Sequence, residues 1–471
     1  MSSSVNAARG NAIPPPPEDG GPFAPSPMDA ATMANAFDPA DLDELGPASA
    51  SLIRRRNATL GSAYRLFYAR PVHFTRGEGV YLYDGDGNAY LDAYNNVPSV
   101  GHCHPRVAEA IARQASALNV HTRYLTDGVI DYAERLLATH AGPAAGQALD
   151  RAMFTCTGSE ANDLALRVAR HYTGGTGVIV TANAYHGVTA AVAEVSPSLG
   201  PNVPVGPHIR LVPAPGPDFA THVAAAICDL RDHGIGLAAF LADSLFSSDG
   251  VIPDPAGFLR PVQDLVHQAG GLYIADEVQS GFGRTGSHFW GYQRHDLAPD
   301  MVTMGKPMGN GLPIAGLAAR HEVLADFGRK VRYFNTFGGN PVCVAAASAV
   351  LDVIEDEGLQ ASAASTGAYL KASLEDLAAG SAVLSPAGGA GVRGAGLYLG
   401  VDVIDPATGE PSASIASRIV NRLRDRRVLI SATGPAGNIL KVRPPLPFGQ
   451  AHADQLTAAL AEVLTASPEA A

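Results

Sequence analysis

Three short stretches of the chain carry residue types that could do chemistry together. Thr157-Gly158-Ser159 follows the apolar run Ala152–Cys156 and opens a helical pattern reaching about His171. A helix start offers free backbone N–H groups and the positive end of the helix dipole, so it suits an anion such as phosphate. Asp276-Glu277 closes the apolar run that begins at Gly271. A buried carboxylate there needs a partner, and a cationic ring nitrogen or a metal would serve. Gly305-Lys306-Pro307 follows the apolar run Met301–Met304. A lysine at a strand end with a depressed pKa is an amine able to form a Schiff base. Singly, each has an ordinary reading: a helix cap, a surface carboxylate, a lysine whose stem covers apolar surface. Together, an anion cradle, a carboxylate and an imine-forming lysine suggest pyridoxal 5′-phosphate.

Such residues need a frame that gathers several strand ends. Val178–Val180, Leu237–Ala242 and Ile314–Ala319 are further short apolar runs, separated by helical stretches. That alternation predicts a mainly parallel sheet covered on both faces, with ligands at the carboxyl ends of its strands. From about Pro341 the pattern changes to long helices (Pro341–Glu355, Leu359–Leu377, Ala413–Arg426) with short strands at Val392–Leu399 and Val428–Ile430. This predicts a separate α+β lobe. Asp84-Gly85-Asp86-Gly87, between β-like runs in Val80–Asp92, predicts a hairpin. The Pro-rich start, with Pro14-Pro15-Pro16-Pro17, predicts a disordered tail to about Ala30 within a lead-in of 50 residues. The remainder divides into the N-terminal part of a small domain (51–95), a large domain (96–345) and a C-terminal small domain (346–471).

Composition narrows the function. The 471 residues are 46% hydrophobic and 17% charged, enough for a large core. With 33 Lys+Arg against 45 Asp+Glu, the formal charge of -12 argues against a nucleic-acid binder. No run of roughly 18 apolar residues is present, so no membrane span is expected, and the start does not read as a secretion signal. Cys103, Cys156, Cys228 and Cys343 lack metal-ligand spacing and read as reduced, mostly buried thiols of a cytoplasmic protein. His102 and His104, with no acidic residue nearby in sequence, read as loop structure rather than metal ligands.

The segment Ala275-Asp276-Glu277-Val278-Gln279-Ser280-Gly281-Phe282-Gly283-Arg284-Thr285-Gly286 resembles the signature of the class III aminotransferases. Thr157-Gly158-Ser159-Glu160-Ala161-Asn162, Ala184-Tyr185-His186-Gly187, Met304-Gly305-Lys306 and Asn335-Thr336-Phe337-Gly338-Gly339-Asn340-Pro341 match in the family's order. The resemblance spans about Val72 to Leu464. It implies PLP fold type I: a large α/β domain with a mainly parallel seven-stranded sheet, and a small α+β domain formed by both chain ends. Lys306 then resembles the Schiff-base lysine and proton shuttle, and Asp276 the carboxylate that keeps the pyridine nitrogen protonated. Tyr185 resembles the aromatic on one ring face and Val278 the residue on the other. Gln279 resembles the group near the phenolic oxygen, and Gly158 and Ser159 the phosphate loop. His186 and Asp243 fall in cofactor-binding stretches. Thr336 resembles the threonine that reaches the neighbouring subunit's phosphate, which implies a homodimer with shared sites.

The substrate side departs from the pattern. Asp243 stands where a glutamate is usual, and Phe246 where a glutamine is usual. Arg443 resembles a substrate-carboxylate arginine, but the place of its gating glutamate holds Ser248. Asn95-Asn96-Val97, Gly101–Pro105, His121–Leu125 and Gly305–Gly311 are similar to the amino-alcohol phosphate phospho-lyases, with Asn96 a candidate substrate contact. The leading expectation is an aminotransferase that moves an amino group from a small amine or amino acid to a keto acid. The alternative is a lyase that removes phosphate or another β-substituent.

Overall fold

The computed structural model describes residues 33, 35–141, 149–384 and 391–465. The expected tail to Ala30 lies outside the described residues. The lead-in just after it is ordered: Asn35 and Phe37 are buried, a 3-10 turn spans Pro39–Glu44 and a helix spans Pro47–Leu60.

The strands β1 (Phe74–Glu78), β2 (Tyr81–Asp84) and β3 (Ala89–Asp92) form an antiparallel meander. The expected turn joins β2 to β3. Asp84 Oδ1 accepts the backbone N–H of Asp86 and Asn88, and Gly87 supplies the positive φ of 82°.

Seven strands follow: β4 (Arg151–Thr155), β5 (Gly177–Thr181), β6 (Ile209–Val212), β7 (Leu237–Asp243), β8 (Leu272–Asp276), β9 (Met301–Met304) and β10 (Ala315–Ala319). Their spatial order is β4-β10-β9-β8-β7-β5-β6. Only β10 runs antiparallel to its neighbours. The short link from Met304 to Ala315 explains this, because a parallel crossover needs a dozen or more residues. Alternation along the strands serves two cores. Val178, Val180, Ala239, Leu241, Leu272 and Ile274 pack on one face. Ile179, Phe240, Ala242, Tyr273 and Ala275 pack on the other. A sheet buried on both faces must read as continuous apolar runs, as these strands do.

The last strands are β11 (Val392–Ala395), β12 (Tyr398–Asp402), β13 (Val428–Leu429), β14 (Ser431–Thr433) and β15 (Ile439–Val442). The run Val392–Leu399, expected as one strand, is a tight hairpin turning at Gly396, whose φ is 55°. An antiparallel sheet of order β11-β12-β15-β14 results. β13 leaves it to pair in parallel with β3, so sequence-distant ends of the chain share one sheet. The helices Pro341–Asp356, Leu359–Ala379 and Ala413–Asp425 lie where periodicity puts them.

The thiols are all free, but Cys103 and Cys228 are exposed and only Cys343 is fully buried, which corrects the expected burial. No described helix is long and apolar enough to cross a membrane.

Candidate active site

The carboxyl ends of β4, β5, β7, β8 and β9 converge on one cavity. Gly158, Ser159, Tyr185, His186, Gly187, Asp243, Asp276, Val278, Gln279 and Lys306 line it. Nine of these were singled out from sequence.

The anion end is the start of the helix Gly158–Thr173. Thr157 caps it: its side chain accepts Glu160 N–H at 3.1 Å, and Glu160 Oε2 in return accepts the N–H of Thr157 and Cys156. The capping box leaves the Gly158 and Ser159 end of the helix facing the cavity. A Cβ on Gly158 would sit 3.0 Å from Val278 Cγ2, and one on Gly187 would collide with Ser159 Oγ. The glycines therefore let Val278 and Ser159 take their places at the cavity wall.

Asp276 is buried at the end of β8, not on the surface. Its Oδ2 accepts Asn162 Nδ2 at 2.9 Å and lies 2.7 Å from His186 Nδ1, while Oδ1 accepts Val278 N–H. Asn162 Oδ1 in turn accepts Thr303 Oγ1 at 2.6 Å. The carboxylate is thus held from β9, from the helix and from the loop after β5. His186 Nε2 is buried without a partner. Glu277, next in sequence, serves structure: it accepts the N–H groups of Gly291 and Tyr292 and the hydroxyls of Ser244 and Ser280. Burial pushes its carboxyl up to about 7.

Lys306 sits in the turn after β9. Burial, aided by Arg443 and opposed by Asp276 and Asp243, pushes its amine down to about 8. A fraction is therefore neutral near pH 7.5 and able to act as nucleophile or base. Tyr185 and Val278 face the cavity from opposite elements, the loop after β5 and the end of β8.

The substrate side differs from expectation. Arg443 has partners, although not Ser248. Its Nη1 donates to Gln279 Oε1, and its guanidinium lies 4.4 Å from the centre of the Tyr94 ring. Tyr398 also donates to Gln279 Oε1, and Gln279 Nε2 donates to Ser247 Oγ at 2.6 Å. Ser247, one residue before the expected position, donates to Asp243. Gln279 therefore ties Arg443 to Asp243 through a chain of neutral groups. Asn96 is buried, with Nδ2 unpartnered. Its loop is pinned on both sides, since Arg443 N–H donates to Ala93 O and Ser99 Oγ donates to Pro307 O. Thr336 is exposed and does not line the cavity.

Sequence reading missed Asn162, Thr303, Ser247, Tyr94 and Tyr398 as parts of the site. Asn162 had a usable signal, lying one helical turn beyond Gly158. The histidines outside the site do have acidic partners, contrary to expectation: His102 Nε2 lies 2.7 Å from Asp92, and His104 Nε2 lies 3.1 Å from Glu357. Among the described residues, no cluster of three or more His, Cys, Asp or Glu has metal-binding geometry.

These residues fit pyridoxal 5′-phosphate: an open helix start for the phosphate, flat walls for the ring, a held carboxylate and a buried amine. Residues 67–464 match the family model described as aminotransferase class-III. A Drosophila melanogaster protein named alanine–glyoxylate aminotransferase 2-like is 40% identical over 439 residues, covering 88% of this chain and 87% of that one. A Caenorhabditis elegans ethanolamine-phosphate phospho-lyase homolog is 37% identical over 445 residues, covering 88% and 93%. The solved structure of an Arthrobacter phospholyase in complex with phosphoethanolamine superposes with a TM-score of 0.84 at 44% identity, covering 88% of this chain and 100% of the other. Toxoplasma gondii ornithine aminotransferase gives 0.76 at 25% identity, covering 90% and 96%. Fold, cavity and relatives converge: this chain belongs to the class III aminotransferase family and is a pyridoxal 5′-phosphate enzyme of fold type I.

Proposed function

We propose that the enzyme acts on a small amine carrying an anionic group, and that it eliminates phosphate from a β-phosphorylated amine. Arg443 carries this reading. It is buried at the end of β15, and its partners are an amide and an aromatic ring rather than a carboxylate. A buried cation held only by neutral groups favours a ligand anion. The resemblance to an Arthrobacter phospholyase crystallised with phosphoethanolamine supports phosphate as that anion.

When bound, the cofactor supplies an electron sink for the carbon that bears the substrate nitrogen. The chain's own residues do the rest. Asp276, its orientation fixed by Asn162 and His186, would hold a proton on the ring nitrogen. Tyr185 and Val278, which line the cavity from different elements, would hold the ring. Lys306 moves the proton at the substrate carbon, and its lowered pKa leaves a larger fraction neutral than an ordinary lysine has. Arg443 holds the leaving phosphate. The net reaction takes up one water and releases phosphate, ammonia and an aldehyde.

Transamination is the second reading, favoured by the arginine fork, which suits a planar carboxylate in two-point contact, and by relatives named as aminotransferases. Assaying phosphate and ammonia from phosphoethanolamine without a keto acid separates the two. Release without acceptor supports elimination. Ketone or aldehyde formation that requires pyruvate or 2-oxoglutarate, with no phosphate release, overturns it.

A homodimer is part of the proposal. Leu125 is 96% exposed and Phe337 69%, and Tyr124 and Val188 are also open. Such apolar side chains suit a subunit interface, and Thr336 beside Phe337 would lie within it. Four free thiols suit a reducing compartment such as the cytoplasm.

A further inference from the structure

Two residues of the loop after β8 reach across to the C-terminal lobe, and they do so in step. Gln279, which lines the cavity, accepts from the side chains of Arg443 and Tyr398. Arg284, further along the same loop, donates Nη1 to the carbonyl of Pro444 and, at 3.3 Å, to that of Leu397. Each of those carbonyls belongs to the residue next in sequence to a partner of Gln279. The loop thus meets the lobe by two parallel rungs. Gln279 belongs to the site, whereas Arg284 is not among the residues that line the cavity.

Arg284 is 1% exposed, and its Nε is buried without a partner. Burial, aided by the nearby Arg443 charge, pushes its guanidinium down to about 9, so it stays charged at neutral pH. A buried cation held by carbonyls is costly, and an apolar side chain of similar length would fill the space at less cost. An apolar side chain cannot fix two carbonyls at once, which a rigid, planar guanidinium does. The rest of the contact is backbone on backbone. Arg284 O accepts Leu397 N–H at 3.1 Å. A Cβ on Gly396 would collide with Arg284 O, and one on Gly286 with Ala364 in the helix Leu359–Ala379. The tip of the β11–β12 hairpin therefore rests directly on the loop. Pro444 and Pro445 have their φ fixed by the ring, so a held Pro444 carbonyl fixes the direction of the chain at Arg443.

We propose that Arg284 is a positioning residue: by clasping the Leu397 and Pro444 carbonyls it keeps the C-terminal lobe in register with the loop after β8, and so holds Tyr398 and Arg443 against Gln279 at the cavity wall. The effect on substrate rests on the reading that Arg443 holds a substrate anion; the clasp itself does not. Gly158, Ser159, Tyr185 and Lys306 stand on other elements. Loss of the clasp leaves them in place, so cofactor retention stays as it was while substrate affinity falls.

Hydrogen–deuterium exchange on the holoenzyme reads the clasp directly. The amides of Leu397, Arg443 and Leu446 are bonded to Arg284 O, Ala93 O and Ser99 O. In Arg284→Met, peptides carrying these amides should exchange about tenfold faster, while peptides of β4 and β9 keep their rates. KM is measured with phosphoethanolamine and, if that is not turned over, with alanine and 2-oxoglutarate. It should rise about tenfold, with kcat within about threefold and the cofactor Kd within about twofold of wild type. Arg284→Lys, which keeps the charge and one donor head, should return KM to within about threefold of wild type. Because Arg284 acts through Arg443, adding Arg284→Met to Arg443→Lys should raise KM less than about threefold further. Unchanged exchange in Arg284→Met, fully multiplied KM effects in the double variant, or cofactor loss that matches substrate loss overturns the role. If Arg284→Met does not fold, Arg284→Gln takes its place under the same criteria. Faster exchange in Arg284→Met, with KM unmoved both there and in Arg443→Lys, keeps the clasp and overturns only the reading of Arg443 as an anion holder.

Discussion

The two halves of the cavity are built on opposite principles. Around Asp276, each described hydrogen bond is made by a neighbour fixed on a strand, a helix or a tight loop. Around Arg443, buried positive charge is held by neutral groups: the Gln279 amide, the Tyr94 ring and the neighbouring tyrosine hydroxyls. The first half is complete before any substrate arrives. The second becomes electrostatically balanced only with an anion in place. Preorganisation suits a resident cofactor whose protonation must not vary, and an open charge suits a ligand that comes and goes.

The comparison can be broken at graded cost. Lys306→Ala should abolish turnover, by on the order of 10⁴-fold or more, since it removes both attachment point and proton carrier. Peptide mapping after borohydride should find cofactor fixed to Lys306 in the wild type and to no residue in the variant. Asp276→Asn should leave the fold intact yet slow single turnovers by roughly 10²–10³-fold, as for other preorganised electrostatic groups. Rates within tenfold of wild type would remove Asp276 from its role.

On the other half the effects are smaller. Arg443→Lys keeps the charge but loses the fork, and should raise the KM for an anionic substrate about tenfold, with kcat less affected. Steady-state kinetics on phosphoethanolamine, and on a keto acid if one is accepted, would show it. The smallest effect is that of pH. Lys306 is pushed down to about 8, so the neutral amine fraction in the apoenzyme rises through that value. Covalent capture of the cofactor should speed up about fivefold between pH 7 and 8 and level off above about 9, where an ordinary lysine would still be gaining. The same shift has a stability sign. Between about pH 8 and 10 the unfolded chain binds more protons at this group than the folded one, so its penalty, complete below 8, relaxes as pH rises. Denaturant titrations of the apoenzyme against Lys306→Met would isolate that slope.

The completed half was the legible one. Its residues sit at strand ends, where continuous apolar runs announce the sheet and the residue closing each run faces the cavity. Periodicity thus brought Ser159, Asp276 and Lys306 together without tertiary information. The open half depends on pairings no local pattern carries. Gln279 and Arg443 are 164 positions apart, and Ser247 rather than Ser248 joins the chain because Phe246, at φ 48°, turns the backbone sharply. Similar limits hold for the fold. The direction of β10 followed from a short connection, β6 was missed as a brief edge strand containing Arg210, and two glycines split a run that reads as one strand.

The parallel pairing of β3 with β13 sets a schedule for biogenesis. The meander β1–β3 is made early, yet its open edge waits for Val428-Leu429. At roughly 5–20 residues per second, a ribosome takes on the order of 20–70 s to deliver that strand. Throughout that interval a nascent chain displays an unpaired edge, which is a template for misassembly with other chains. The last cavity-lining residue is Lys306, but β4, which leads into Gly158, joins the rest of the sheet only through β10. Arg443 itself, whose backbone is tied to Ala93, arrives almost last. The step most exposed to aggregation is the closing of that first sheet.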